Sequence, residues 1–474
     1  MKNKFIYLIL FSLGFFACDD LTDINVNPKA ATKVEAVTLF SNAQKNLVDQ
    51  MTTPSVNTGI FRLLSQYWTE TTYTDESRYD LNTRNIPRNF WNVLYRDVLR
   101  DLKEASDLAA VDPSINEATR ANQQAQSEIL AVYTWLALVA TFGDIPYSES
   151  LDFNKSAPVY DDAATIIDDL VSRLDQAIAN ISEGDSGFDG GDLLYGGDLG
   201  AWKKFANGIK LRIGLLLADQ NSAKAATIIQ QAATNVFTSN ADNAVFQYLS
   251  SPPNTNPIWV NLVQSGRQDF VVANTLVDYM ESVNDPRIPL YFTKDADGGY
   301  SGGIYGTSNN YATFSKPSDA IQAPDFEALL MDYAEIELSL AEAAARGIAV
   351  GGTAEEHYNK GIEASILYWG GSAGDVTSYL ANPAVAYTTA AGDFKQKIGY
   401  QKWLALYNRG FEAWIDQRRL DYPVLNAPSE PLGSYPLRFT YPVDEQNLNK
   451  INYDAASSAI GGDMVTTRIF WDMQ

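Results

Sequence analysis

Apolar residues recur every three or four positions along most of this chain of 474 residues, and this period constrains its fold more than any other feature. The spacing matches one face of an α-helix, whereas the strict alternation of a half-buried strand is scarce. The pattern predicts an all-α fold with a large core. Four of the apolar stripes are Trp91/Leu94/Val98/Leu102, Ile129/Tyr133/Leu136/Ala140, Trp202/Phe205/Ile209/Ile213/Leu216 and Phe326/Leu329/Tyr333/Ile336/Leu340/Ala344.

Two predicted helices follow each other closely enough to form a hairpin. Gly347 stands just past the end of the first, and Thr353 and Glu356 have the spacing of a capping box at the start of the second. The second stripe ends at Gly370 and Gly371. Helix pairs of this kind predict a tetratricopeptide-like stack, although no clean repeat of about 34 residues is visible.

Two stretches, 69–89 and 252–311, interrupt the helical pattern with Gly, Pro, Asn and Asp. Long irregular segments are uncommon inside a compact helical body and tend to carry function. We therefore expect a helical scaffold packed against an irregular, loop-rich part that holds the functional residues.

The N-terminus has the features of an export signal. Lys2 and Lys4 precede an apolar run from Phe5 to Phe16, which is too short to span a membrane as a helix. The run ends at Cys18, the only cysteine, at a position that resembles the processing site of a bacterial lipoprotein. Such sites usually carry Leu three residues earlier, where this chain has Phe15, so an ordinary secretory signal is the alternative.

The expected organisation is a signal peptide over 1–17, a lipidated tether over 18–32 and one α-helical domain over 33–474. A lone thiol has no disulfide partner in an oxidising compartment, and acylation of Cys18 gives it a use. The tether carries Asp19, Asp20 and Asp23, a cluster that resembles the signal for display on the outer face of the outer membrane.

Charge excludes some partners. The sequence has 35 basic and 58 acidic residues, a net charge of −23, and loss of residues 1–17 with Lys2 and Lys4 would leave −25. This negative field repels nucleic acid and anionic lipid. Neutral or cationic ligands are compatible with it.

Residues for common catalytic sites are missing. The single histidine, His357, is predicted to lie on the surface of a helix, and without further His or Cys neither a Cys–His nucleophile nor a zinc site can be assembled. The run from Asp295 to Gly299 begins like a calcium loop but lacks the later acidic ligands, so a Gly-rich turn is expected. No phosphate-binding motif occurs, and we predict no cofactor and no metal. Acidic residues are numerous, so counting alone leaves a glycosidase pair open.

Seven segments follow one another in a recognisable order: 131–150 (AVYTWLALVATFGDIPYSES), 157–178 (APVYDDAATIIDDLVSRLDQAI), 192–213 (DLLYGGDLGAWKKFANGIKLRI), 285–292 (DPRIPLYF), 333–347 (YAEIELSLAEAAARG), 401–423 (QKWLALYNRGFEAWIDQRRLDYP) and 438–449 (RFTYPVDEQNLN). In this order they resemble the SusD/RagB family of outer-membrane lipoproteins, and the likeness runs from Cys18 to the C-terminus.

The resemblance implies a binding protein without catalytic activity on the cell exterior. Such proteins cap a SusC-like TonB-dependent transporter and deliver a nutrient to it, usually a glycan. The implied fold has four tetratricopeptide-like units packed against an irregular ligand-bearing part. Within that scaffold the larger motif residues are expected to be structural: Trp202, Trp369, Trp403 and Trp414 as core, and Glu335, Glu342, Arg346, Arg418 and Arg419 as internal pairs or helix caps.

The irregular segments supply the predicted ligand contacts. An aromatic ring can cover the apolar face of a sugar while neighbouring polar side chains bind its hydroxyl rim. The candidates are Trp68, Tyr73 and Tyr79 from the first segment and Trp259, Tyr300 and Tyr305 from the second. Buried packing is the alternative for each ring. An oligopeptide ligand, an extracellular glycoside hydrolase and an adaptor that binds no ligand remain open as alternative functions.

Overall fold

The computed structural model describes residues 34–473, and helices dominate it. Cys18, the predicted signal peptide and the predicted tether lie outside the described residues. The helices are α1 (Ala36–Thr52), α2 (Phe61–Leu64), α3 (Ile86–Asn92), α4 (Arg100–Val111), α5 (Glu117–Phe142), α6 (Ala163–Asn180), α7 (Leu199–Leu216), α8 (Ser222–Ala232), α9 (Pro257–Trp259), α10 (Asn274–Ser282), α11 (Ile288–Tyr291), α12 (Tyr333–Ala345), α13 (Ala354–Tyr368), α14 (Ala373–Leu380), α15 (Phe394–Ala405), α16 (Gly410–Leu420), α17 (Val443–Leu448) and α18 (Lys450–Ala459).

Strands are few and short. Between residues 34 and 473 they form three two-stranded antiparallel ladders, β1 with β5, β2 with β3 and β4 with β6. The all-α prediction is therefore confirmed. The strands are β1 (Trp68–Glu70), β2 (Ile145–Pro146), β3 (Tyr160–Asp161), β4 (Ala244–Phe246), β5 (Phe270–Val272) and β6 (Ala328–Met331).

Successive helices pack as neighbours, as the tetratricopeptide-like prediction requires. The pairs α5 with α6, α7 with α8 and α12 with α13 make extensive contacts. The predicted capping box opens α13, with Thr353 and Glu356 satisfying each other's backbone amides. Gly361 lets α13 approach α12 closely, because a Cβ atom there would lie 2.6 Å from the Cγ atom of Leu338.

Helix α5 is the central element of the larger core. Its length and composition would allow it to cross a membrane, but 94% of its most apolar window is buried within the protein. Packing against α4 and α6 accounts for this apolar character. The helix ends at Gly143, whose φ of +82° suits glycine better than other residues.

The structural roles predicted for the motif residues are confirmed, except that Trp369 lies only partly in the core. Trp202, Trp403 and Trp414 are buried, and Trp369 is half-buried against Tyr291, with ring centroids 4.7 Å apart. The charged motif residues pair inside the scaffold: Glu335 with Arg212 and Arg409, Glu342 with Arg346 and Arg419, and Arg418 with backbone carbonyls.

The prediction that His357 lies on the helix surface is wrong. Its side chain is buried, and its Nδ1 atom lies 2.6 Å from a carboxylate oxygen of Glu337. His357 stands one turn before Gly361, on the face of α13 that packs against α12. The close helix approach at Gly361 brings Glu337 within reach of the imidazole, a contact that the apolar stripe of α13 did not indicate.

The stretch 252–311 is also more regular than expected. It contains α9, α10 and α11 as well as β5. Helix α10 buries Leu276, Val277 and Met280 on one face, but at nine residues it is too short for a clear periodic signal.

Candidate ligand-binding site

Strands β1 and β5 bring the two interrupted stretches of the sequence together. Thr69 lies opposite Val271 in the ladder. The contact continues beyond the strands: the Thr71 amide donates to the Asp269 carbonyl at 2.9 Å, and the Asn309 amide donates to the Thr71 carbonyl at 3.0 Å. Segments that are about 200 residues apart in sequence therefore share one face of the molecule.

A third segment, 422–435, joins this face and was not singled out from the sequence. The Leu432 amide donates to the Arg78 carbonyl at 2.8 Å. Gln66, which is buried, donates to the Asn426 carbonyl at 2.6 Å and accepts from the Asn426 amide. We call the segments 71–85, 259–269, 300–313 and 422–435 together the loop surface.

Three of the six predicted aromatic residues reach solvent on the loop surface. Tyr73 is 74% exposed. Trp259 and Tyr300 are half-buried. Each of these three side chains is therefore at least partly accessible to a ligand.

The expectation that Trp68, Tyr79 and Tyr305 present their rings to a ligand is not met, because neighbouring segments cover them. Trp68 is 1% exposed, and its Nε1 atom donates to the hydroxyl of Tyr407 at 3.2 Å. Tyr79 and Tyr305 are also buried, with ring centroids 6.4 Å apart. These three residues support the loop surface from below.

Aliphatic side chains on the loop surface were missed because only aromatic residues were considered. Val260 and Val263 follow Trp259 in a π-helical turn and are exposed, as is Ile304 between the predicted Tyr300 and Tyr305. Val260 and Val263 are three positions apart, so they lie on one face of a helical turn that is too short to be buried. This spacing is the signal that could have identified them.

The backbone of the first segment is held in an unfavourable conformation. Tyr73, Tyr79 and Asn85 in this segment, and Gln66 shortly before it, have positive φ angles between 53° and 73°. Each such residue costs on the order of 1 kcal/mol or more, so the surrounding contacts must fix these conformations. Such strain concentrates at functional sites, and here it aims the exposed ring of Tyr73.

A pair of buried carboxyl groups fixes the same segment. Glu70 and Glu76 are both buried. Burial, together with the neighbouring Glu76, raises the pKa of Glu70 to about 9, so the Glu70 carboxyl is protonated at neutral pH. The Ser77 amide donates to Glu70 at 3.0 Å, and Arg84 forms an ion pair with Glu76. The pair joins β1 to the turn that follows Tyr73.

The loop surface provides binding groups of several kinds. Its exposed rings and aliphatic side chains suit an apolar ligand face, and loop amides and hydroxyls suit a polar rim. Residues 34–473 contain no group of three or more His, Cys, Asp or Glu that could hold a metal ion. The run from Asp295 to Gly299 forms the expected turn, in which the Asp295 carboxylate accepts from the Asp297 and Gly299 amides.

The sequence of residues 28–442 matches the profile of the SusD-like proteins, a family described as starch-binding and associating with the outer membrane. The chain belongs to this family. The resemblance to SusD-type proteins noted from seven motifs is thereby confirmed. No curated protein sequence matches the chain.

Solved structures of SusD-like proteins share the fold. A chitin-binding protein is similar with a TM-score of 0.81 and 25% identity, over 93% of this chain and 100% of that one. A chitin-binding SusD homologue from Flavobacterium johnsoniae has a TM-score of 0.76 and 26% identity, over 93% of this chain and 98% of that one. A SusD homologue from Bacteroides thetaiotaomicron, at 23% identity and a TM-score of 0.78 over 93% and 100% of the two chains, is similar in fold.

Proposed function

We propose that this SusD-like protein is a cell-surface lipoprotein that binds an oligosaccharide on its loop surface and passes it to a SusC-like TonB-dependent transporter. The observation that carries the proposal is the similarity, over nearly the whole chain, to a chitin-binding protein and to a chitin-binding SusD homologue. Oligosaccharides of the chitin type are therefore the first ligands to test. Catalysis forms no part of the proposed role.

The loop surface suits such a ligand physically. One ring that covers about 60 Å² of apolar sugar surface contributes roughly 1.5 kcal/mol. Two or three rings, such as Tyr73, Trp259 and Tyr300, then contribute about 3 to 4.5 kcal/mol, which corresponds to dissociation constants in the millimolar range. Binding of this strength retains a ligand at the surface and still allows its transfer to a partner.

The net charge supports a neutral ligand. At −23, the chain repels anionic polysaccharides but has no electrostatic effect on an uncharged chitooligosaccharide. A cationic oligopeptide is the alternative that the same charge allows. A glycoside hydrolase could not use Glu70 and Glu76 as its pair of catalytic carboxylates, because both are buried beneath the loop surface.

Isothermal titration calorimetry with chitohexaose tests the proposal. We expect the wild-type protein to bind, and Tyr73→Ala to weaken binding about 10-fold at the loop surface, as the loss of one ring predicts. Ile451→Ala is the matched control, because Ile451 is 85% exposed and lies on α18, outside the loop surface. The Ile451→Ala variant should bind chitohexaose with the same affinity as the wild type.

Three results would contradict the proposal. Binding of a lysine-rich oligopeptide without binding of chitohexaose or maltohexaose would establish the peptide alternative. Release of reducing sugar by the pure protein would establish a hydrolase. Co-purification with a transporter, but no heat signal with any ligand, would establish an adaptor.

A further inference from the structure

A wide groove lies on the helical scaffold, away from the loop surface. Helices α4, α5 and α6 and the segment 147–154 enclose a volume of about 960 Å³. Pockets of about 300–1,000 Å³ are typical of small-molecule sites. We call this the scaffold groove, and none of its lining residues belongs to the loop surface.

One wall of the scaffold groove is aromatic. Trp135 and Tyr147 pack edge to face, with ring centroids 4.9 Å apart. Phe153 is 82% exposed, and the guanidinium carbon of Arg100 lies 4.0 Å from the centre of its ring. This contact orients the Phe153 ring and occupies one of its faces, which leaves the other face available to a ligand.

The charged side chains of the scaffold groove already have partners. Arg173 pairs with Glu128, and Lys103 pairs with Asp107 at 2.6 Å. Arg100 pairs with Glu104 at 3.2 Å. The remaining carboxylates accept hydrogen bonds, Asp152 from Asn154 and Asp169 from Tyr147. A charged ligand would have to compete with these pairs, whereas a neutral ligand would not.

Ser127 gives an independent indication of a ligand. It lies on α5, lines the scaffold groove and is only 2% exposed, yet its hydroxyl has no hydrogen-bond partner among the described residues. A buried hydroxyl without a partner costs about 1–3 kcal/mol, and a serine within a helix commonly avoids this by donating to the preceding turn. The Ser127 hydroxyl oxygen is covered in the free protein, so a group that enters the groove must displace the side chains over it to form this hydrogen bond.

We propose that the scaffold groove is a second binding site for a neutral oligosaccharide, with Phe153 beneath a sugar face and Ser127 hydrogen-bonded to a sugar hydroxyl or amide. Aromatic rings, paired charges and a free hydroxyl together match a ligand with apolar faces and an uncharged polar rim. The inference rests on the proposed function, since it assigns the same class of ligand to a separate site.

Hydrogen–deuterium exchange of the detergent-solubilised full chain, with chitohexaose and maltohexaose as probes, tests the second site. We expect an added hexasaccharide to slow exchange in the segment 147–155, in the wild type and equally in Tyr73→Ala. Phe153→Ala should abolish this protection. Ile451→Ala, a change at a similarly exposed apolar residue of α18, should retain it.

Ser127→Ala gives a second measurement that does not depend on an exposed ring. The concentration for half-maximal protection of 147–155 should rise about 3- to 10-fold, with no fall in melting temperature, because no internal hydrogen bond is lost. Ser339→Ala is the matched control. Ser339 is equally buried and also lacks a partner among the described residues, but it lies on α12 outside the groove.

The outcomes separate this inference from the proposed function. Protection of 71–85 without protection of 147–155 would overturn the second site and leave the proposed function intact. Protection of 147–155 that disappears in Tyr73→Ala would also overturn it, because the groove would then bind nothing by itself. No protection of either segment by either probe would overturn both.

Discussion

Trp68 and Tyr73 lie five positions apart on the same segment, but only one of them faces solvent. Trp68 is in strand β1, where its indole donates to Tyr407 and the guanidinium of Arg62 lies 5.2 Å from its ring. Tyr73 follows the strand in a left-handed conformation that directs it outward. The backbone, rather than the residue type, thus separates a supporting ring from a binding ring.

Replacement of Trp68 should affect stability before it affects binding. We expect Trp68→Ala to lower the free energy of unfolding by about 3–5 kcal/mol, because a fully buried indole leaves a cavity and a lost hydrogen bond. Urea denaturation measures this change. Tyr73→Ala is the comparison, and the exposure of Tyr73 predicts a change within about 0.5 kcal/mol. If Trp68→Ala kept full stability and lost only ligand binding, the buried position of Trp68 would be refuted.

At the scale of elements, the turn after β1 depends on the proton held by Glu70. The folded state raises the pKa of Glu70 to about 9, through burial and the nearby Glu76, whereas an unfolded chain would have its ordinary value near 4.5. Between pH 4.5 and about 9, the folded state therefore keeps a proton on Glu70 that the unfolded state has released. This contribution to stability is fully present below pH 4.5 and is lost as the pH rises to about 9.

We accordingly expect Glu70→Gln to flatten the pH dependence of unfolding. Between pH 4.5 and 9, the ionisation of Glu70 should lower the unfolding free energy of the wild type by at most about 1.4 kcal/mol per pH unit. The amide of Glu70→Gln does not titrate, so the variant should lack this pH dependence. Denaturant unfolding at pH 5.5, 7 and 8.5 measures it. Glu355→Gln changes an exposed carboxylate of α13 and should keep the wild-type slope. An unchanged slope in Glu70→Gln would show that Glu70 is ionised in the folded protein.

The sequence predicts the secondary-structure elements better than it predicts which side chains are exposed. The stripe through Trp91, Leu94 and Val98 is buried as expected, and the Thr353 capping box begins α13. Periodicity reports which face of a helix is buried, so these features can be predicted. His357 was misplaced because its burial depends on how closely two helices approach, and that distance is set by residues of both helices.

The candidate site was predictable as a region but not residue by residue. Interrupted periodicity identified the two stretches that β1 and β5 join. It could not indicate that segment 422–435 would cover Tyr79, whose ring packs against Tyr435 at 5.5 Å. Contacts between distant segments decide which rings face a ligand, and single-segment patterns contain no such information.

At the scale of the whole molecule, one proposed binding site lies on the loops and the other lies on the helical scaffold. The loop surface is built from strained turns supported by buried aromatic rings, and the scaffold groove is built from regular helices. A single oligosaccharide chain that contacts both sites would gain in apparent affinity, because the second contact becomes intramolecular.

The proposed lipid anchor at Cys18 can be tested directly. We expect the wild-type protein, expressed in its native type of envelope, to incorporate an alkyne-labelled fatty acid and to sediment with the outer membrane. Two or more acyl chains hold a protein stably at a membrane, whereas one chain binds reversibly. Cys18→Ser should lose the label, since a hydroxyl does not replace the thiol in this modification, and Thr22→Ser should retain it. An unlabelled wild-type protein with a free thiol at Cys18, recovered in the soluble fraction, would refute the lipid anchor while leaving oligosaccharide binding unaffected.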